Sequence, residues 1–428
     1  MNILWLGGIV LPRIAEAENL PIVHMNGWLI NISEKLERLS GHKLIYVFDS
    51  NKEIYGKTEF YSYYGIKCKK ASIQRFGEAY VVQAIKILKK VRPDVVHIWG
   101  TESSHSLAMV EACERIGIQD RCVISIQGLV SVYARHYYAY MPEKYTHGCS
   151  MKDFLKGNIA HGKKRFEIRG KLEVEALEKV HHVIGRTDWD RACVWNVNPN
   201  AKYHMNNETL REEFYSGKWD YNKCEKFSVF CSQGHYPIKG IHLVLEAVAR
   251  VKKEFPQIKL YIGGKNYLKI PKWKQGNYDK YLISLIYKYG LSDCVIFTGF
   301  LSAADMKERY LKANIFVSAS SIENSPNSVG EAMLLGTPVI SSRVGGVHNL
   351  LTHGTEGYLY PADEPYMLAY YIKEAFSKPD QIVKMSENAI RKASVIHDVN
   401  KNFRDLIDIY NLINKDAKSL KVQYIVRS

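Results

Sequence analysis

Two series of short apolar runs, each interleaved with amphipathic stretches, constrain this chain more than any other feature. In the first series, residues 1–7, 43–49, 93–99, 122–127 and 182–185 are β-rich and bounded by Gly, Pro or polar residues, which predicts buried strands. Segments with helical spacing, such as 80–91 and 106–116, lie between them. This alternation predicts a doubly wound parallel sheet. The pattern pauses from about 196 to 224, in a polar, aromatic and Gly-bearing stretch that suits an inter-domain connection. A second series follows at 227–232, 259–263, 294–298, 315–318 and 338–342. A chain of 428 residues is too long for one ordinary core and suits two. The expected fold is therefore α/β, with a first domain over 1–212 and a second over 213–398. A last helix within 399–428 is expected to cross back toward the first domain.

Composition narrows the partners. A net charge of +15 favours anionic ones: nucleic acid, a membrane face or phosphorylated small molecules. No RNP-like, zinc-knuckle or helix-turn-helix pattern accompanies the charge, so nucleic acid is not expected. Eight cysteines are scattered without a CxxC pair, which implies neither a zinc site nor a disulfide framework and suits a cytoplasmic setting. The apolar start, MNILWLGGIVLP, lacks a basic flank and reads as a first strand, and no stretch is apolar for long enough to predict a membrane-spanning helix.

The segment 322–342, IENSPNSVGEAMLLGTPVISS, holds two carboxylates, Glu323 and Glu331. The second sits among Val329, Ala332, Met333, Leu334 and Leu335, where an unpaired charge is costly. Ser325 is a good N-cap, Pro326 suits the first helical position, and Gly336 suits the stop. The N–H groups of Asn327 and Ser328 then face outward at a helix start that follows a strand, where anions bind. Carboxylates beside such a site suit hydroxyls, so a phosphate flanked by hydroxyl-rich groups, as in a nucleotide sugar, fits. A polar loop plus a salt-bridged helix glutamate fits these residues too.

The same segment resembles the E-x7-E signature of retaining family 4 glycosyltransferases of the GT-B fold. EAMLLGTPVISSRVGGVHNLL and EGYLY follow it, so the likeness covers most of the second domain. The resemblance implies two Rossmann-like domains facing a central cleft, with the nucleotide sugar held by the second. It places Glu323 on donor-sugar hydroxyls and Glu331 on the ribose. In SQGHYPIKGIHLVLEAV (232–248), Lys239 and Gly240 match the family's R-x4-K-G loop, whose cations bind the diphosphate, while the arginine position falls on Gly234. Gly7 and Gly8 resemble the first-domain glycine loop that approaches the reacting sugar. Asn26 and Gly27, at the opening of the first helix, are weaker candidates. The resemblance implies no cofactor and no metal, with UDP- or GDP-linked sugar as donor. Asp188-x-Asp190 lies in the first domain, away from the donor side.

Other first-domain loops supply acceptor or cleft candidates. Glu102 follows the strand containing His97, Gln127 follows the next, and Arg186 follows the one after, at strand ends where ligands gather. Arg186 could instead pair with Asp188 or Asp190. Residues 133–171 mix tyrosines with Lys163, Lys164, Arg165, Arg169 and Lys171, which suits an anionic membrane surface. These readings converge on a glycosyltransferase of bacterial surface-polysaccharide biosynthesis, with a glycan or lipid-linked glycan as acceptor. The alternatives are a non-catalytic binder of nucleotide sugars or glycans and a related enzyme such as a nucleotide-sugar 2-epimerase.

Overall fold

The computed structural model describes residues 1–21, 27–39, 41–68, 77–148 and 150–427. Asn26 lies outside the described residues. The chain forms two compact units, one of residues 1–132, 165–209 and 398–428, the other of 133–164 and 210–397.

The first unit is built on an eight-stranded sheet. Its strands are β1 (Asn2–Gly7), β2 (Lys43–Ser50), β3 (Ile54–Lys57), β4 (Tyr61–Lys67), β5 (Val95–Trp99), β6 (Cys122–Ser125), β7 (His182–Gly185) and β8 (Lys202–Met205). The order is β3-β4-β2-β1-β5-β6-β7-β8, and only β3 runs antiparallel to its neighbour. β1 is covered on both faces, so its side chains are apolar without alternation, as central parallel strands require. β3, β4 and β8 are not foreseen from the sequence. β4 is tyrosine-rich, YSYYGIK, and β8 is a short edge strand whose side chains are all at least partly exposed, so neither shows an apolar run.

The final helix, Val399–Arg427, belongs to this unit. Tyr410 on it is buried and accepts a hydrogen bond from Trp5 Nε1 at 3.0 Å. His97 lies 2.5 Å from the Tyr410 hydroxyl through Nδ1 and 2.6 Å from Ser125 Oγ through Nε2. Burial drives the imidazole down to about 3, so it is neutral, and both its nitrogens are satisfied. His97 is thus a packed strand residue.

The second unit has six parallel strands: β9 (Glu225–Cys231), β10 (Lys259–Gly263), β11 (Val295–Gly299), β12 (Ala313–Ser318), β13 (Val339–Ser342) and β14 (Gly357–Tyr360). Their order is β11-β10-β9-β12-β13-β14, with Phe316 in register with Phe230 across β12 and β9. The order reverses between β9 and β12, which makes the carboxyl ends of these two strands the expected ligand crevice.

The division expected at 212/213 is corrected at two places. The boundary falls at 209/210, and residues 133–164 pack with the second unit instead of the first. Met141 and Ile159 join the core around β9 and β10, His242 Nε2 bonds Ala139 O at 2.6 Å, and Asn277 N–H donates to Asp153 at 3.0 Å. These buried apolar and polar contacts hold the excursion there. No helix among the described residues is long and apolar enough to cross a membrane.

Candidate functional site

The reversal point of the second sheet carries a recess. Cys231, Ser232, Gln233 and Lys239 line it from the β9 side, with Ser318, Ser320, Glu323 and Ser328 from the β12 side. The recess is narrow, with about 290 Å³ of empty space that includes its opening into solvent, and suits the centre of an extended ligand rather than the whole of one.

Lys239 enters the recess from a short turn, Pro237–Lys239, that ends at Gly240. Gly240 has φ +67°, and a Cβ there would collide with the Ala319 carbonyl. A glycine is therefore what lets the β9 loop touch the β12 loop. The contact brings the Lys239 ammonium to 2.6 Å from Glu323 Oε1. Burial disfavours the ammonium, but the adjacent carboxylate outweighs it and holds Lys239 above its ordinary range. Ser320 Oγ donates to the same Oε1 at 2.7 Å. Both contacts fall on one oxygen, leaving Oε2 for a ligand hydroxyl.

The helix after Glu323 runs Asn327–Leu335 and ends at Gly336, which has φ +77°. Its N-cap is Pro326, one residue later than expected, and Ser325 makes no capping bond. Pro326 is extended at ψ 116°, and its carbonyl takes the first helical bonds from Val329 and Gly330, at 3.0 and 3.3 Å. Asn327 and Ser328 precede those donors, so their N–H groups stand free of the intrahelical ladder at a positive helix end. The shift of cap leaves their placement as the sequence predicts.

Glu331 is buried one turn on. Arg211 clamps it with two bonds of 2.9 Å, Nε to Oε1 and Nη2 to Oε2. Burial raises the Glu331 carboxyl above its usual range and the guanidinium opposes that rise. Each carboxylate oxygen keeps a lone pair beyond the clamp. Arg211 was missed in the sequence, where it lies in a stretch read as a connection and 120 positions from its partner. No local spacing signals such a pair.

Gly234, at the family's arginine position, is packed tightly. A Cβ there would sit 2.9 Å from Ile262 Cγ2 and 3.0 Å from Ile241 Cγ1, both buried, and the Tyr267 hydroxyl donates to its carbonyl. Lys239 is the one cationic side chain lining the recess among the described residues.

In the first unit the reversal falls between β1 and β5. Gly7 ends β1 and is buried, and a Cβ there would collide with the Tyr46 phenol, whose hydroxyl donates to Ile9 O at 2.8 Å. Gly8 is exposed with open space around it. Gln127 and Arg186 share a second recess with Trp99, Asn206 and Glu208. Arg186 is buried and committed: it pairs with Glu208 at 2.7 Å and donates to Gln127 O at 3.0 Å. Asp190 instead caps its helix with Thr187, and Asp188 pairs with Arg191 at 2.5 Å. Gln127 Nε2 is buried without a partner. Glu102 accepts from Gly128 N–H at 3.1 Å, and burial, with the nearby Glu173 carboxylate, pushes it up to about 7. Glu173 is itself buried and ties the two loops together through Thr101, Val130 and Ser131.

Residues 213–392 match the family described as Glycosyl transferases group 1. The second unit therefore carries a glycosyltransferase group 1 domain. A Bacillus subtilis (strain 168) protein whose name places it among glycosyltransferases, YtcC, is 28% identical over 179 residues, 41% of this chain and 43% of the relative. WcaL of Salmonella typhimurium, whose name ties it to colanic acid biosynthesis, is 27% identical over 169 residues, 38% of this chain and 39% of the relative. The chain thus spans about two-fifths of the length of the curated relatives it matches. The Anabaena protein HepE, solved in complex with UDP-glucose, superposes with a TM-score of 0.63 at 17% identity, covering 99% of this chain and 100% of that one. The likeness extends over both units, and the fold is that of GT-B glycosyltransferases.

Proposed function

We propose that the chain is a retaining glycosyltransferase that moves a sugar from a nucleotide sugar to an acceptor hydroxyl. The observation that carries this reading is the recess at the β9/β12 reversal, where Lys239, Glu323 and the Asn327–Leu335 helix start converge. In this reading the donor diphosphate lies against the Lys239 ammonium and the Asn327 and Ser328 N–H groups. Those donors stabilise the charge that grows on the phosphate as the glycosidic bond breaks. Glu323 Oε2 orients the donor sugar through a hydroxyl. Glu331, fixed by Arg211, offers its free lone pairs to the ribose. The acceptor hydroxyl attacks on the face the diphosphate leaves, and the departing phosphate takes its proton.

The base is uracil or guanine. HepE, which shares the fold, was solved with UDP-glucose, which favours the first. No metal is required, because a lysine and a helix start supply the positive charge. The acceptor is a glycan, held on a lipid at the cytoplasmic face of a membrane, and the pathway is that of a surface polysaccharide. WcaL, related in sequence, is named for colanic acid biosynthesis, which supports a glycan-building role. The recess in the first unit with Gln127, beside Glu102, is assigned to the acceptor.

A panel of UDP-, GDP- and ADP-sugars tests the reading by release of free sugar. Slow hydrolysis of one donor is expected, unchanged by EDTA and lost in Glu323→Ala and Lys239→Ala. Saturable donor binding with no turnover under any acceptor would instead establish a binder.

A further inference from the structure

The short helix Met151–Lys156 is mounted with its apolar side outward. Met151, Phe154 and Leu155, at i, i+3 and i+4, share one face, and they are 71%, 82% and 75% exposed. Its polar side is the buried one. Ser150 and Asp153 form a capping box, and Asp153 also accepts from Asn277 N–H at 3.0 Å. Lys152 pairs with Asp279 at 2.8 Å. Polar bonds therefore fasten the helix to the second unit in the orientation that presents three large apolar side chains to solvent. A monomeric protein rarely exposes such a group without a use for it.

The turn Lys272–Lys274 packs beside this helix. It adds Trp273, 64% exposed, between two exposed lysines. Apolar side chains at the centre, a tryptophan beside them and lysines at the edge match the layering of a bilayer surface with anionic headgroups.

We propose that Met151, Phe154, Leu155 and Trp273 insert into the headgroup layer of an anionic bilayer while Lys272 and Lys274 pair with its phosphates. This deepens the membrane-held acceptor reading and rests on it for its purpose, but binding is read without donor or acceptor. Failure here therefore leaves the transfer reading intact, and the reverse also holds.

The test is flotation of the full chain with phosphatidylglycerol-rich vesicles and with vesicles of phosphatidylcholine alone. Wild type is expected to float with the first, less so as salt rises. Phe154→Ser with Leu155→Ser should weaken binding about tenfold or more, with an unchanged melting temperature and unchanged donor hydrolysis. Lys272→Glu with Lys274→Glu, on a separate turn, should do the same, which guards against misfolding of the first variant. Absence of wild-type flotation, or equal flotation of both variants, overturns the proposal. So does a wild-type dimer that the serine variant splits, without vesicle binding, because the face would then meet a second copy.

Discussion

The Lys239 ammonium and the Glu323 carboxylate form a largely buried ion pair of 2.6 Å, with the lysine side chain 19% exposed, across two loops that meet at Gly240. Each is the other's partner in the structure and a separate grip on the donor in the proposed reaction. Removing one leaves the other as an unpaired buried charge. Lys239→Ala should lower turnover by about 10²–10³-fold, the scale of losing one charge-stabilising donor. Stability should fall by about 2 kcal/mol, below the range for a fully buried pair because the lysine side chain is 19% exposed. The double variant Lys239→Ala with Glu323→Ala should be more stable than the single lysine variant, as measured by denaturant unfolding.

Arg211→Ala isolates the second glutamate. Glu331 then loses both of its 2.9 Å bonds while remaining buried. The cost should be about 2 kcal/mol, reduced from the fully buried case because the arginine side chain is 25% exposed. If Glu331 grips the ribose, the same variant raises KM for the nucleotide sugar more than it lowers kcat. Steady-state kinetics with varied donor reads the split.

Restoring the family's arginine should not help. Gly234→Arg places a Cβ 2.9 Å from Ile262 and 3.0 Å from Ile241, both buried, so these side chains must shift to admit it. Overpacking of this kind costs about 1–3 kcal/mol. We expect a lower melting temperature and no gain in donor affinity, read by thermal shift with and without UDP. Tighter UDP binding in this variant would show that the site tolerates the second cation.

Glu102 gives the first unit a pH signature. Its folded carboxyl sits at about 7, above the ordinary 4.5, because burial disfavours the charge. A raised folded value means that the native state binds the proton more tightly. The resulting stability is full below about pH 4.5 and is lost as pH rises through about 7. Glu102→Gln should therefore stabilise the protein at pH 8 by about 1 kcal/mol, since the glutamine never ionises. The gain should vanish near pH 4.5. Urea midpoints at the two pH values decide it.

What was legible in the sequence was whatever a local window contains. The two series of apolar runs, the K-G pair and the two glutamates each declare themselves within about one strand-turn-helix unit. Gly336 ends its helix as its position predicts, whereas Pro326 took the cap expected of Ser325, because its extended ψ already supplies the cap carbonyl. What was not legible depends on distant partners. Arg211 gains meaning only through Glu331, and Arg186 only through Glu208 instead of the nearer aspartates. The 133–164 excursion has no strand pattern to betray its home, and its anchors, Ala139 to His242 and Asp153 to Asn277, lie 103 and 124 positions apart.

Tyr410 bonds both Trp5 and His97, across 405 and 313 positions of sequence. β1 and β5 precede residues 210–397, yet their buried indole and imidazole are partnered by a hydroxyl that follows that stretch. Among the described residues, no side chain in the cores of the unit containing 210–397 lies beyond residue 397. The unit that contains β1 and β5 therefore completes its core with a side chain that follows the whole of the other unit in sequence.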